Sequence, residues 1–430
     1  MEYDLAIIGA GWAGFNAALE AKKLGLRTAL IEKSEIGGTC LNLGCIPTKT
    51  LIQSAKVFVL ARKAGEFGIQ AEHPAFLWQK IQERKERIVL QLRQAMGASL
   101  AGIGLFPGEA KLLSAGALRS GGAEITAKAI IIAAGSAPAE LPFLKFDGKK
   151  VISSKEILSI ENVPASLLII GGGVIGCEFA SLFAAFGSKV EIAEKLPRLL
   201  PGEDEEVSRR LETIFKKRGI KVNTGCDAVA LKPEAYEKVL VCVGRVPNTA
   251  GMGLSEAGVK LDRAAVAVDE FLRTSAPGVF AAGDCTGKLM LAHFAAHQGV
   301  IACRNAAGQK RESAASVVPR CVYADPEVAS VGIGSQEEQA KGIEAVIGKV
   351  DFLASGMARI IGETDGFIKI TARKDNDEIL GASIIGPRAT ELIAVAGVAI
   401  ARRMTVGQLR EVIFAHPTLS ELIRETVSAS

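Results

Sequence analysis

The 430-residue chain has no apolar run of membrane length. Its longest candidate, Leu392 to Ala401, is ten residues held between Glu391 and Arg402, half of what a bilayer crossing takes, and it reads as a buried helix. An excess of one charge is missing too. The net charge is +4 with both signs interspersed, so no basic stripe or tail points to nucleic acid or to a membrane surface. A secretory cysteine framework is also missing, since only Cys40 and Cys45 of the eight cysteines stand close together. The chain enters a strand within a few residues of Met1, so no signal or transit peptide is expected and the location expected is cytoplasmic. What remains is a globular protein with 49% hydrophobic residues and length for two or three domains.

The cysteine pair lies in Gly37 to Lys49, GGTCLNLGCIPTK, and reads as a redox disulfide. A continuous helix would separate the two Cα atoms by roughly 7.5 Å along its axis, more than the about 4.4–6.8 Å a disulfide tolerates. The loop must therefore bend, and Gly44 eases it. Pro47 fits a first helical turn, which sets Cys45 at a helix N-terminus where the dipole and Lys49 favour a thiolate. Two buried cysteines or half a metal site are the bland alternatives. The C-x4-C spacing is not a usual zinc pair and no second pair follows, so no metal site is expected.

The strand Leu5 to Ile8 runs into Gly9, Gly11 and Gly14 in G-x-G-x-x-G, then a helical run, then a strand from Thr28 that ends at Glu32. The glycines provide a tight turn, close backbone approach to a pyrophosphate and helix–sheet packing, and the acid suits a ribose hydroxyl. One such triplet is a weak signal, but Gly171, Gly173, Gly176 and Glu194 repeat it after a second strand with the same 23-residue separation of first glycine and acid. Two dinucleotide sites and a dithiol imply an electron relay, with FAD and NAD the natural pair. Glu194 favours NAD over NADP by repelling a 2′-phosphate, with Lys195 and Arg198 pulling the other way.

Helices are expected at 79–100 and 203–218, and strands at 128–135, near Val222 and at 239–243. A further strand ends in Phe280-Ala281-Ala282-Gly283-Asp284, whose acid is placed for a ribityl hydroxyl or for a plain turn. From Pro319 the pattern changes to an α+β domain that closes with Phe414-Ala415-His416-Pro417-Thr418-Leu419-Ser420-Glu421. His416 suits proton transfer near neutral pH, with Glu421 fixing its tautomer or, with Thr418, only capping a helix. His293 and His297 read as packed core or backbone-contacting residues, and His73 as a loop residue.

With GGTCLNLGCIPTK, both glycine units, GRVPNT, AAGDC, VYADPEVASVG and FAHPTLSE in hand, the chain resembles the flavin-dependent pyridine nucleotide-disulfide oxidoreductases over nearly its whole length. Within them it is most similar to the branch acting on dihydrolipoamide, as Glu194 and Leu419 suggest. The resemblance implies an α/β fold with two Rossmann-like dinucleotide-binding domains, a discontinuous FAD domain (1–147 and 271–315) and an NAD domain (148–270), followed by an α+β dimerisation domain (316–430). It implies that Cys40 exchanges with substrate, that Cys45 lies at the flavin, and that Lys49 and Glu178 pair beside the ring. It also implies that His416 with Glu421 serves the disulfide of the other subunit of a homodimer. Contacts to FAD fall to Gly9, Gly11, Gly14, Glu32, Thr39, Lys49, Ala110, Gly135, Asp284 and Ala292. Those to NAD fall to Gly171, Gly173, Gly176, Glu194 and Gly244.

The implied activity is oxidation of protein-bound dihydrolipoamide with reduction of NAD+, on the lipoyl domains of a 2-oxo acid dehydrogenase or glycine-cleavage system. The alternatives are an NAD(P)H-dependent reductase of another disulfide or of a metal ion, or a flavin-binding subunit without catalysis. One departure stands out: Asn223 to Lys238 is short where relatives insert an extra hairpin, which bears on NAD use and on the stability of that domain.

Overall fold

The computed structural model describes residues 2–313, 317–334 and 342–428. The chain divides into two compact units, one of Met1–Leu51, Leu77–Ala139 and Gly244–Ala315, the other of Ile52–Phe76, Glu140–Val243 and Ser316–Ser430.

In the first unit a seven-stranded sheet grows from Glu2–Ile8, whose Leu5-Ala6-Ile7-Ile8 is buried on both faces as central parallel strands require. Thr28–Glu32 and Ala123–Ile132 flank it in parallel, Gly104–Pro107 lies outside Thr28–Glu32, and Val279–Ala281 pairs with Ala123–Ile132. Antiparallel strands Ala110–Ser114 and Ala117–Ser120 extend the other edge. The helices Trp12–Lys23 and Ala292–Ala306 cover one face through small residues such as Ala13, Ala17 and Ala302. A Cβ on Gly299 would lie 2.0 Å from the Ala13 carbonyl oxygen, so the two helices approach as closely as glycine permits. Leu254, Ala257, Val259 and Val266 pack on the opposite face with Ile125, Ile130 and Ile132. Thus 244–270, which the resemblance places with the NAD domain, belongs to the first unit and buries Leu254, Ala257, Val259 and Val266 there.

The second unit holds a five-stranded parallel sheet in the order Lys221–Thr224, Lys189–Glu194, Ser166–Ile170, Lys238–Val241, Val151–Ile152. The short segment before Lys238 forms two 3-10 turns, Ala228–Leu231 and Pro233–Ala235. Ala228, Leu231 and Tyr236 pack there against Leu168, Val239 and Val241, so the short link closes a sheet face. The Tyr236 hydroxyl donates to Glu191 Oε2 at 2.8 Å, and burial together with that carboxylate pushes its pKa up to about 12.

A second, antiparallel sheet runs Arg320–Val322, Glu327–Gly332, Ile379–Gly386, Phe367–Arg373, Ala345–Asp351. Its core takes in the helix Ala389–Ala401 through Ala389, Leu392, Ile393, Ala396 and Ala399. That helix is buried on one side only, since Val398 is 62% exposed. No helix among the described residues is long and apolar enough to cross a membrane.

Candidate functional site

The dithiol segment folds as two helices, Gly38–Leu43 and Cys45–Arg62, broken at Gly44. A Cβ on Gly44 would sit 3.0 Å from the Thr39 carbonyl oxygen and 3.5 Å from Cys40 Cα, so the break folds the chain back until the residue before Cys45 touches the backbone of Cys40. Both cysteines are free thiols, half-buried, with the Cys45 sulfur in hydrogen-bonding reach of Cys40. That sulfur, then burial, push the Cys40 thiol well above its ordinary range, while Trp12 and Lys49 pull it down. Cys45 opens its helix, and Lys49 lies one turn along.

The first glycine turn lies against this segment. A Cβ on Gly38 would be 2.7 Å from Gly11 Cα. Gly9, at φ +102, could carry no side chain either, because its Cβ would meet the Ala133 carbonyl oxygen at 2.3 Å. Gly14 admits the helix onto the turn, since a Cβ there would lie 1.7 Å from the Gly9 oxygen. The N-cap of that helix is Gly11, which has no side chain to occupy the first-turn N–H groups. Glu32 closes the turn, its Oε2 accepting from Ala10 N at 2.7 Å and Oε1 from Ser34 N at 2.8 Å.

Asp284 stands at a 3-10 turn that follows Gly283. Its Oδ2 accepts from the Ser136 hydroxyl at 2.5 Å, and Arg245 donates from Nε to that hydroxyl at 2.7 Å and from Nη2 to the Ser136 carbonyl at 2.6 Å. The buried Nε2 of Gln298 has no acceptor among the described residues, while its Oε1 accepts from Gly283 N at 2.8 Å. Gly135 takes φ +71 just before Ser136, Ala110 starts an edge strand, Ala292 opens its helix, and Thr39 lies beside Cys40. The bare helix N-terminus, the glycine cradle and the buried Gln298 N–H, which has no acceptor among the described residues, fit an extended dinucleotide such as FAD.

The second unit repeats the turn. Gly171 at φ +110 lies under the Cys242 carbonyl oxygen, which a Cβ would meet at 2.5 Å, and a Cβ on Gly176 would be 1.9 Å from the Gly171 oxygen. Gly173 is a side-chain-free N-cap. Glu194 Oε2 accepts from Gly172 N at 2.6 Å and Oε1 from Leu196 N at 2.7 Å, the same double contact that Glu32 makes. Arg198 is turned into the backbone, donating to the Pro201 carbonyl at 2.9 Å, which leaves Glu194 as the group at the strand end. Gly244 takes φ +129. Glu178, buried on the helix Val174–Ala185, accepts from Tyr323 N at 2.9 Å.

Near the C-terminus His416 is 83% exposed at its side chain, with Nδ1 2.9 Å from Glu421 Oε1. Glu421 Oε2 accepts from Thr418 N at 2.7 Å, whereas the Thr418 hydroxyl donates to the Ala415 carbonyl. One carboxylate thus serves both the histidine and the helix start. His293 and His297 are not core residues: both are exposed on the helix Ala292–Ala306, because Phe294, Ala295 and Gln298 take its buried side.

Residues 3–299 match the pyridine nucleotide-disulphide oxidoreductase family, and residues 318–427 match its dimerisation domain. The chain belongs to this family. It is 39% identical to a dihydrolipoyl dehydrogenase of Bacillus subtilis, over 100% of this chain and 98% of that one, and 38% identical to that of Chlorobaculum tepidum, over 99% and 96%. The B. subtilis alignment runs to 464 positions, so that relative has residues where this chain has none. Among solved structures, the HOCl-induced flavoprotein disulfide reductase RclA from Escherichia coli is similar with TM-score 0.89 and 29% identity over 99% of each chain. LpdA from Mycobacterium tuberculosis is similar with TM-score 0.91 and 28% identity, over 99% of this chain and 98% of that one.

Like its family, this oxidoreductase uses FAD and NAD, and its dimerisation domain makes it a homodimer. Sequence reasoning assigned Gly244 from GRVPNT but passed over Arg245, whose guanidinium fixes Ser136 against Asp284. A lone arginine in a turn motif was the only signal. Trp12 was passed over as well, standing inside the glycine triplet as one of its unspecified positions.

Proposed function

We propose that the protein oxidises the dihydrolipoamide of lipoyl domains, reducing NAD+ through a Cys40–Cys45 disulfide. The observation that carries this is the folding of Cys40 against a helix-opening Cys45, with Lys49 one turn away and the first glycine turn alongside. His416 takes the proton of the first substrate thiol. The resulting thiolate attacks the Cys40 sulfur, the Cys40–Cys45 bond breaks, and Cys45 leaves as a thiolate held by Lys49 and the helix N-terminus. The second substrate thiol, deprotonated in turn, attacks its partner sulfur in the mixed disulfide and releases Cys40. The net change is dihydrolipoamide plus NAD+ to lipoamide, NADH and a proton. Bound FAD supplies an acceptor for the electron pair of the dithiol, and bound NAD+ removes that pair as hydride.

Gly9, Gly11, Gly14, Glu32, Thr39, Ala110, Gly135, Asp284 and Ala292 hold FAD in this reading. Gly171, Gly173, Gly176, Glu194 and Gly244 hold NAD, and Glu178 takes a place near the flavin ring. His416, with Glu421 setting its tautomer, serves the dithiol of the partner subunit, as its exposure in a single chain suits.

Anaerobic addition of one equivalent of reduced lipoamide to the yellow protein is expected to raise the long-wavelength thiolate-to-flavin band, and NAD+ to discharge it. A band raised by NADH but never by reduced lipoamide moves the substrate to another disulfide.

A further inference from the structure

Trp12 opens the first helix directly after the glycine turn, and Cys40 is the third residue of the helix that starts at Gly38. The two backbones are in contact where they start, with Gly11 Cα 2.7 Å from the Cβ position of Gly38. The indole nitrogen of Trp12 is buried and has no oxygen or nitrogen acceptor among the described residues. An indole N–H only donates, and a buried donor without an acceptor is costly, so such a group persists where an acceptor arrives during function. The polar group of the dithiol it reaches is the Cys40 sulfur.

We propose that the Trp12 indole N–H donates to Cys40 when that sulfur is a thiolate, which makes Trp12 a positioning residue for thiol exchange. A neutral thiol is a weak acceptor and a thiolate a strong one, so the bond strengthens as charge develops. The Cys45 sulfur and burial disfavour a charged Cys40, and Trp12 and Lys49 are the groups that offset them. The effect is to keep Cys40 competent to exchange at a pH where burial alone holds it protonated. This inference rests on Cys40 being the exchanging thiol.

The test is the pH dependence of Cys40 alkylation by iodoacetamide in the holoenzyme reduced with one equivalent of NADH, read by peptide mass spectrometry. In Trp12→Phe, which keeps an aromatic ring and loses the donor, the midpoint is expected about one pH unit higher, with alkylation about tenfold slower below it. FAD content and the Cys45 thiolate-to-flavin band stay as in the wild type. An unchanged midpoint overturns the proposal, and an unchanged midpoint with loss of FAD assigns the N–H to the cofactor instead.

Should Trp12→Phe fail to fold, Trp78→Phe leaves Trp12 as the single indole. Its emission is expected to titrate with the alkylation midpoint and to lose that titration in Cys40→Ser, and flat emission overturns the proposal. Alkylation of Cys45 rather than Cys40 in the wild type overturns the role given to Cys40 and this proposal with it, whereas the midpoint shift tests Trp12 alone.

Discussion

His416 and Glu421 show how much one carboxylate does. The Thr418 N–H first, and His416 second, hold the Glu421 carboxyl below its ordinary 4.5. A depressed acid contributes above its unfolded value and loses that contribution as pH falls through the lower folded one, so the Glu421 carboxylate keeps its charge throughout the neutral range. His416→Gln is expected to slow dihydrolipoamide oxidation by about 10²–10⁴-fold while leaving NADH-to-dye transfer near wild type, and equal loss of both activities would refute the role. A second acid makes the same argument for stability. Burial pushes Glu327 up, but Lys56 at 2.6 Å and the N–H and hydroxyl of Thr390 outweigh it and leave the carboxyl below 4.5. Lys56→Met strands that charge with Thr390 alone and is expected to cost roughly 2–4 kcal/mol at pH 7 in urea unfolding. The deficit should shrink as pH drops below the ordinary carboxyl range, because a protonated Glu327 needs no cation.

At the scale of elements, the two strand–turn–helix units are the part most plainly written in the residues. Their glycines answer local demands, a positive φ at Gly9 and Gly171 and a missing Cβ at Gly14 and Gly176, so position alone reveals them. Because the Cβ clashes are separate in the two units, Gly14→Val is expected to purify without FAD. Gly176→Val should stay yellow and lose bleaching by NADH, and absorbance spectra decide both. The Gly44 break was legible for the same reason, a distance that no continuous helix could meet. Less of the rest could be read. The strand Ala345–Asp351 shows no alternation because Gly348 is its one buried residue. The closure of the short segment before Lys238 depends on Ala228, Leu231 and Tyr236 meeting a distant strand, a contact that no local pattern encodes. The Ser136–Arg245–Asp284 cluster likewise joins three separated stretches.

For the whole molecule, the exposure of His416 is the point to explain. The proposed general base is 83% exposed at its side chain and Ile413, three residues before it, is 95% exposed, which suits a group that works against a second chain better than one that works alone. The proposed two-fold dimer would build each site from Cys40 and Cys45 of one chain and His416 of the other. Co-expression of Cys45→Ser and His416→Gln chains separates this from a site within one chain. If the site is shared, a mixed dimer carries one site with both lesions and one with none. Random pairing makes half the dimers mixed, so about a quarter of wild-type dihydrolipoamide oxidation is expected. If each chain keeps its own site, every site carries one lesion or the other, and the mixture is no more active than the variants measured apart.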